Sequence, residues 1–201
     1  MCHMHITTSI ILKRFFLFLM VMLIASNISY ANDMRFPDQN GWMGTTWKDD
    51  IGILLSKFKA FRSPNNNELN EFSLIFSKNI TMSNKYIIDN LCIDGHKFKV
   101  YIAANNNKFN YLCFKYAGLD MESIHQKILD NLTLLFNEPI NFYERAAKCS
   151  DGNNFDRIIS VEWRFDELLI SFFYYPCSTV ELPPMMRYFS PFILVLFEYN
   201  K

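Results

Sequence analysis

The sequence lacks the short motifs by which many enzymes and nucleic-acid-binding proteins are recognised. Only six of its 201 residues are glycine, and no glycine-rich phosphate loop or Walker motif is present. Its five cysteines include no Cys-x-x-Cys pair, the spacing typical of structural zinc sites. Basic and acidic residues balance at 20 each, so no excess positive charge is available to bind phosphate backbones. The features of the sequence that bear on function are therefore its compartment, its cysteines and its fold.

Residues 1–31 have the organisation of a secretory signal peptide. Lys13-Arg14 is a basic start, Phe15 to Ala25 is an unbroken apolar run, and Ser29-Tyr30-Ala31 offers small residues where a signal peptidase reads. The apolar run is shorter than the roughly 20 residues of a transmembrane helix, and an uncleaved membrane anchor is the alternative interpretation. We predict a cleaved leader, a single domain at 32–201, and a periplasmic or secreted location without stable membrane insertion.

Four cysteines follow the leader: Cys92, Cys113, Cys149 and Cys177. In an oxidising compartment an even number favours disulfides, and four cysteines allow three connectivities. We favour the sequence-local pairing, Cys92 with Cys113 and Cys149 with Cys177. The first pair requires neighbouring strands or a sheet end, because strands that flank a third lie about 9.5 Å apart, beyond the roughly 7 Å Cα limit. A zinc site is the rival interpretation, but few imidazole ligands remain, so we expect no metal and no cofactor.

Hydrophobic periodicity predicts a first unit made of a helix followed by strands. Thr46 and Asp49 suit a capping box, and Ile51, Leu54, Leu55 and Phe58 recur at helical spacing. Predicted strands follow at Phe72–Phe76, Tyr86–Ile93, Phe98–Ile102 and Tyr111–Tyr116, with turns at Asp94-Gly95 and Asn105-Asn106-Asn107.

A second unit repeats this plan. Asp120 is the predicted cap of a helix whose apolar face carries Met121, Ile124, Ile128, Leu132 and Leu135, with Asn137 and Pro139 at its end. Residues 141–154 are polar and turn-rich, and they precede a predicted hairpin of Ile159–Phe165 with Leu168–Tyr175 and a last strand at Phe192–Tyr199. The predicted class is therefore α+β, with two successive helix-then-strands units that form an antiparallel sheet with two helices packed on one face.

Two stretches carry a resemblance to known proteins. Gly44-Thr45-Thr46-Trp47-Lys48-Asp49-Asp50-Ile51 and Leu132-Thr133-Leu134-Leu135-Phe136-Asn137-Glu138-Pro139 resemble the helix start and the closing turn of small exported bacterial α+β proteins. This group includes the beta-lactamase inhibitor proteins and the outer-membrane assembly lipoprotein of the SmpA type. Asn137 stands where their pattern has glycine, and the lipid-bearing cysteine of the assembly lipoproteins is missing. The resemblance implies this fold and binding of other proteins through a sheet face or its loops, with no catalytic residue.

Titratable residues do not form a recognisable catalytic set. His96 in a turn and His125 on a helix flank lack a nucleophile motif around them, and we expect both to be exposed structural residues. Glu162 and Asp166 could form a carboxylate pair of the glycosidase type, but their positions predict a solvated strand face for Glu162 and the following turn for Asp166. We predict no catalytic residue and a protein that is not an enzyme.

The segment between Pro176 and Pro191 is the predicted binding surface. Prolines keep it from joining the sheet, and it concentrates residue types that are enriched at protein interfaces, namely Met185, Met186, Arg187, Tyr188 and Phe189. The alternative is that these side chains fold back onto the core. We predict an exported non-enzymatic protein-binding module of the inhibitor or immunity type that occludes another protein. A small-molecule or lipid-binding periplasmic module is the second hypothesis, motivated by the high aromatic content, and a hydrolase using His96 or His125 is the third.

Overall fold

A computed structural model describes residues 34–58, 60–76, 82–149, 155–177 and 191–199. The chain divides into two units: the larger comprises Phe36–Leu91 and His96–Lys201, and the smaller contributes Met34, Arg35 and Cys92–Gly95 to the described part. The predicted leader lies outside the described residues. Of the helices described, none has the length and apolar character needed to cross a membrane.

The described elements are three helices and nine strands. In chain order they are β1 Gly41–Trp42, β2 Thr45–Thr46, α1 Ile51–Leu55, α2 Asn66–Ile75, β3 Asn84–Ile93, β4 His96–Asn105, β5 Lys108–Tyr116, α3 Met121–Phe136, β6 Asn141–Lys148, β7 Phe155–Phe165, β8 Leu168–Tyr175 and β9 Phe192–Tyr199. Seven strands form one sheet in the order β3-β4-β5-β9-β8-β7-β6, and β1 and β2 form a separate pair. The predicted α+β class with an antiparallel sheet is confirmed.

Helix α2 occupies the stretch predicted to contain the strand Phe72–Phe76, and that prediction was wrong. Its start is fixed by a capping box: the Glu68 N–H donates to the Asn65 side chain at 3.0 Å, and the Asn65 N–H donates to the Glu68 carboxylate at 2.9 Å. Phe72 and Phe76 are four residues apart and fully buried, which fits one face of a helix as well as it fits a strand.

The sheet is covered on both faces rather than on one. Phe72 of α2 packs on Tyr101, with ring centroids 5.3 Å apart. Phe136 of α3 packs on Phe197, with ring centroids 6.2 Å apart. Tyr101 lies opposite Cys113, whereas Phe197 lies opposite Leu112. Directly opposite residues share a face of the sheet, and successive residues of a strand point to opposite faces. Because Cys113 and Leu112 are adjacent, the two helices lie on opposite faces of the sheet.

Asparagines form the tight turns that the sequence indicates. Asn106 and Asn107 have φ values of 50° and 60° in the turn between β4 and β5. A two-residue hairpin turn in which both residues have positive φ has the same twist as the strands it joins, and asparagine adopts positive φ more readily than most residues. The asparagine cluster therefore has a conformational role. The predicted turn between β7 and β8 is also present, with Asp166 at a φ of 42°.

Three further predictions are corrected. Asp50 rather than Thr46 caps α1, although the Thr46 N–H does donate to the Asp49 carboxylate at 2.8 Å. The region 141–154 is not all turns, because β6 occupies its first part. Cys92 on β3 and Cys113 on β5 are both free thiols, since β4 lies between their strands.

Candidate functional site

Strand β6 is the outermost strand at one side of the sheet. The Ile140 N–H donates to the Glu162 carbonyl at 2.8 Å, and β6 then pairs with β7 along its whole length, from Asn141 opposite Glu162 to Lys148 opposite Phe155. Every β6 residue except Ala147 is exposed. The absence of a buried face is why its sequence looks like a loop.

Large apolar side chains are exposed at the start of this strand. Ile140, Phe142 and Tyr143 are each 54 % exposed, within four consecutive positions. Phe142 and Tyr143 are adjacent on a strand and therefore lie on opposite faces of the sheet. Single exposed apolar residues are ordinary, but a group of three that includes two aromatics is a feature of interaction surfaces.

A disulfide ties the end of β6 to the start of the predicted binding segment. Cys149 follows β6 directly, and its Cα lies 5.7 Å from that of Cys177. This predicted pair is confirmed. Tyr175 on β8 pairs with Phe192 on β9, so the segment between them leaves and returns at neighbouring positions of the sheet. Residues Met185, Met186, Arg187, Tyr188 and Phe189 themselves lie outside the described residues.

The disulfide sulfurs are near one carboxylate but do not make a metal site. Ligand atoms of Cys149, Cys177 and Asp156 lie within 4.8 Å of one another. The two sulfurs are bonded to each other, and metal binding by cysteine requires thiolates. The group therefore has only one carboxylate to offer a cation.

A polar cluster occupies one face of the sheet beside β6. Tyr143 pairs with Ser160 and Arg145 with Ile158, which puts both side chains on the face that Tyr175 shares. Burial raises the pKa of Tyr175, and the nearby Arg145 guanidinium opposes that rise. The Tyr175 ring also packs on Phe192, with centroids 5.1 Å apart. Arginine and tyrosine are both residue types that are enriched at protein interfaces.

A groove of about 710 Å³ lies along β6 and β7, lined by Glu144, Arg145, Ala146, Asp156 and Arg157. Arg157 contacts residues of two elements: one guanidinium nitrogen lies 3.2 Å from the Glu144 carboxylate of β6, and another lies 3.4 Å from the His125 ring of α3. Four of the five lining residues have charged side chains. Binding sites for apolar ligands are lined mainly by hydrophobic side chains, so this groove suits a polar ligand rather than a lipid.

His125 is buried, which contradicts its predicted exposure. It is 2 % exposed and stacks on Tyr174 with ring centroids 4.1 Å apart. The Tyr174 hydroxyl donates to the Glu122 carboxylate, and burial together with that carboxylate raises the pKa of Tyr174. Within the described residues, the Nδ1 atom of His125 has no hydrogen-bond partner. A buried polar atom without a partner costs stability, and a functional role is one explanation for its presence.

Replacing His125→Phe tests whether that histidine has a chemical role. Phenylalanine keeps the stacking on Tyr174 and removes the Nδ1 atom, but it also removes the 3.4 Å contact of Nε2 with Arg157, so we expect a nearly unchanged melting temperature. The variant should also keep full activity in any binding assay. Differential scanning calorimetry and the partner assay described below check this. A marked loss of binding at unchanged stability would instead assign the imidazole a function.

The remaining candidates are held in structural roles. His96 packs edge-on against Tyr116, with centroids 6.1 Å apart. Glu162 accepts a hydrogen bond from Asn141 at 2.9 Å, and Asp166 lies in the β7–β8 turn. Burial raises the pKa of the free Cys113 thiol, which keeps it protonated and makes it a poor nucleophile.

No family model, curated protein or solved structure matches this chain.

Proposed function

We propose that this protein is an exported, non-enzymatic protein-binding module of the inhibitor or immunity type, which occludes a partner protein. The observation that carries the proposal is the exposed strand β6, with Ile140, Phe142 and Tyr143 at its start, tied through Cys149–Cys177 to the proline-rich segment. The disulfide supports an oxidising compartment, since such bonds are rare in the cytosol. The inhibitor type itself follows from the sequence resemblance described above.

The binding surface would combine two parts. The described part is the β6 side of the sheet, where Tyr143, Arg145 and Tyr175 share a face. The second part is the segment 178–190, whose methionines and aromatic residues offer a large apolar contact area. The disulfide holds the beginning of that segment at the same side of the sheet, so a partner could contact both parts together. Anchoring one end of a binding segment lowers the entropy lost on binding.

Alanine substitutions should separate binding from stability. We expect Tyr143→Ala and the double change Met186→Ala with Tyr188→Ala each to weaken partner capture at least tenfold, because interface aromatics commonly contribute 2 kcal/mol or more. Melting temperatures should stay nearly constant. The measurement is quantitative mass spectrometry of proteins retained from periplasmic extract, followed by calorimetry with the retained protein after purification.

Leu119 supplies the matched control, because it is fully exposed and lies in the segment before α3 rather than on β6. Leu119→Ala should retain the same proteins as the unmodified chain. A retained protein counts only if Leu119→Ala keeps it and Tyr143→Ala loses it. If no protein shows this difference, or if the alanine variants unfold, the proposed surface is wrong.

The groove at β6 and β7 favours the second candidate, a small-molecule-binding periplasmic module. Its volume of about 710 Å³ is within the range of ligand pockets. Its charged lining restricts the ligand to a polar one that pairs with both arginine and carboxylate groups. Arg157→Gln should then abolish binding of such a ligand while leaving partner capture through Tyr143 intact.

A further inference from the structure

The two outer edges of the seven-stranded sheet differ in how they are protected. At the β3 edge, Arg62 and Ile87 exchange two backbone hydrogen bonds of 3.0 and 2.8 Å, so another piece of chain covers the strand. At the other edge, β6 pairs with β7 alone, and no other described segment bridges its outer side. An uncovered edge presents backbone donors and acceptors to a further strand.

Strand β6 also lacks two of the usual devices that prevent pairing, a bulge and a proline. Its register with β7 runs without a shift from Asn141 to Lys148, so no bulge twists the edge away. It contains no proline. Its charged residues are Glu144, Arg145 and Lys148, which include both signs. Edge charges disfavour pairing in general, but opposite charges that lie directly across from each other favour it, so the order of the charges decides which partner fits.

We infer that β6 pairs antiparallel with β6 of a second copy of this chain, centred on Ala146, which joins two sheets into one. This inference goes beyond the proposed function and does not depend on it. In this register Ala146 faces its own copy, and Glu144 lies opposite the Lys148 of the other copy, twice per dimer. A two-fold axis that passes between the two Ala146 residues relates the two copies. Directly opposite residues of an antiparallel pair lie on the same face of the sheet, so Glu144 of each copy lies beside Lys148 of the other on that face.

Neighbouring registers are less favourable. Centring the pair on Glu144 or on Arg145 would place like charges directly opposite each other. Centring it on Tyr143 would place Phe142 opposite Glu144 and form no ion pair within β6. The register centred on Ala146 is therefore selected by charge, and it leaves Ile140 and Phe142 outside the paired residues 143–149. Those side chains remain accessible to a different partner.

The dimer is expected to be weak. One pair of short strands covers less area than the roughly 1,200 to 2,000 Å² of stable interfaces, which places dissociation in the micromolar range or above. The Glu144 carboxylate already contacts Arg157 at 3.2 Å within its own chain. Lysine from the second copy would add to this pair rather than replace it. Concentration-dependent association is thus part of the inference.

Charge reversal and its rescue test the register. Lys148→Glu should weaken dimerisation of the purified, disulfide-bonded protein about 10- to 30-fold in sedimentation equilibrium, because two attractive pairs become two repulsive ones. Glu144→Lys should have a similar effect. The double variant restores opposite charges and should dimerise at least tenfold more tightly than either single variant. A monomer at every concentration, or a double variant no tighter than the single ones, would overturn the inference.

Cysteine cross-linking gives a test that does not rely on charge. Facing residues in an antiparallel pair have Cα atoms about 4.5 to 5.5 Å apart, which is within disulfide range. Ala146→Cys should therefore form a covalent dimer on mild oxidation. Phe142→Cys lies on the same strand and face but far from its own copy in this register, and it should stay monomeric. Equal cross-linking of the two variants would indicate random collision and contradict the register. Circular dichroism of each variant confirms that it is folded.

Discussion

Removing the carboxylate of Glu68 should lower the stability of this protein more than most other single substitutions near its surface. We expect Glu68→Ala to lower the free energy of unfolding by about 2–4 kcal/mol and the melting temperature by roughly 5–15 °C. Urea denaturation followed by circular dichroism measures the first quantity, and calorimetry measures the second.

The expected loss follows from how many groups Glu68 satisfies. Its side chain is only 5 % exposed. Its carboxylate accepts two hydrogen bonds of 2.6 Å from the Arg62 guanidinium and one from the backbone N–H of Asn65. It also forms an ion pair with Lys99. Without it, α2 loses its capping box, and Lys99 loses a buried partner. Arg62 keeps Asp89, at 2.6 Å, which limits the loss.

The same cluster predicts a dependence on pH. Arg62 first, and then Lys99 and Asn65, hold the pKa of Glu68 far below its ordinary value of 4.5. A depressed carboxyl pKa stabilises the fold fully above the unfolded-state value, and that contribution is lost as the pH falls below it toward the folded-state pKa. The stability difference between the unmodified protein and Glu68→Gln should therefore be largest near pH 7 and shrink below pH 4.5.

Asp130→Asn is the control for both measurements. Asp130 is an exposed carboxylate on α3 that accepts a hydrogen bond from Gln126 at 2.8 Å. Its replacement should change stability by less than about 0.5 kcal/mol. If Glu68→Ala were equally harmless, the cluster would be a solvated surface feature and the account of how α2 begins would be wrong.

Sequence reasoning identified the elements whose patterns are long and local. The helix Met121–Phe136 and the hairpins that turn at Asn106-Asn107 and at Asp166 follow from periodicity and turn chemistry. Helix α2 was predicted as a strand because Phe72 and Phe76 fit both periods, whereas the capping pair of Asn65 with Glu68 indicates the start of a helix. Short apolar runs are ambiguous in this way, and end signals decide them better than periodicity.

The position of His125 in its helix indicates burial. It is four residues after Met121 and three before Ile128, so helical spacing places it on the buried stripe. Its polarity suggested exposure instead. The apolar run from Phe192 to Phe197 in β9 is typical of a strand buried on both faces, and β9 does lie in the middle of the sheet, between β5 and β8.

The candidate site was beyond the reach of sequence patterns. An edge strand with no buried face, such as β6, has no alternation to detect. The incorrect pairing of Cys92 with Cys113 has the same origin, because the position of β4 between their strands is a property of the assembled sheet. The pairing of Cys149 with Cys177 depended only on proximity along the chain.

Removing the disulfide should produce the second large effect. The double substitution Cys149→Ser with Cys177→Ser opens a loop whose ends are 28 residues apart, and chain entropy alone predicts a loss of about 3–4 kcal/mol. We expect a melting temperature lower by roughly 6–16 °C. Reduction of the unmodified protein should give the same shift, whereas Cys92→Ser should give none, since Cys92 is a free thiol.

This substitution also tests the connection between β6 and the binding segment. Without the bond, the start of 178–190 is no longer held beside β6, so partner capture should fall even at temperatures where the variant stays folded. Mass spectrometry after thiol alkylation under denaturing, non-reducing conditions should label Cys92 and Cys113 but neither Cys149 nor Cys177. Loss of stability with unchanged capture would restrict the disulfide to a stabilising role, because binding would then not require the segment to be fixed at the sheet. Labelling of all four thiols would show that the cross-link does not form, and the argument for an oxidising compartment would fail with it.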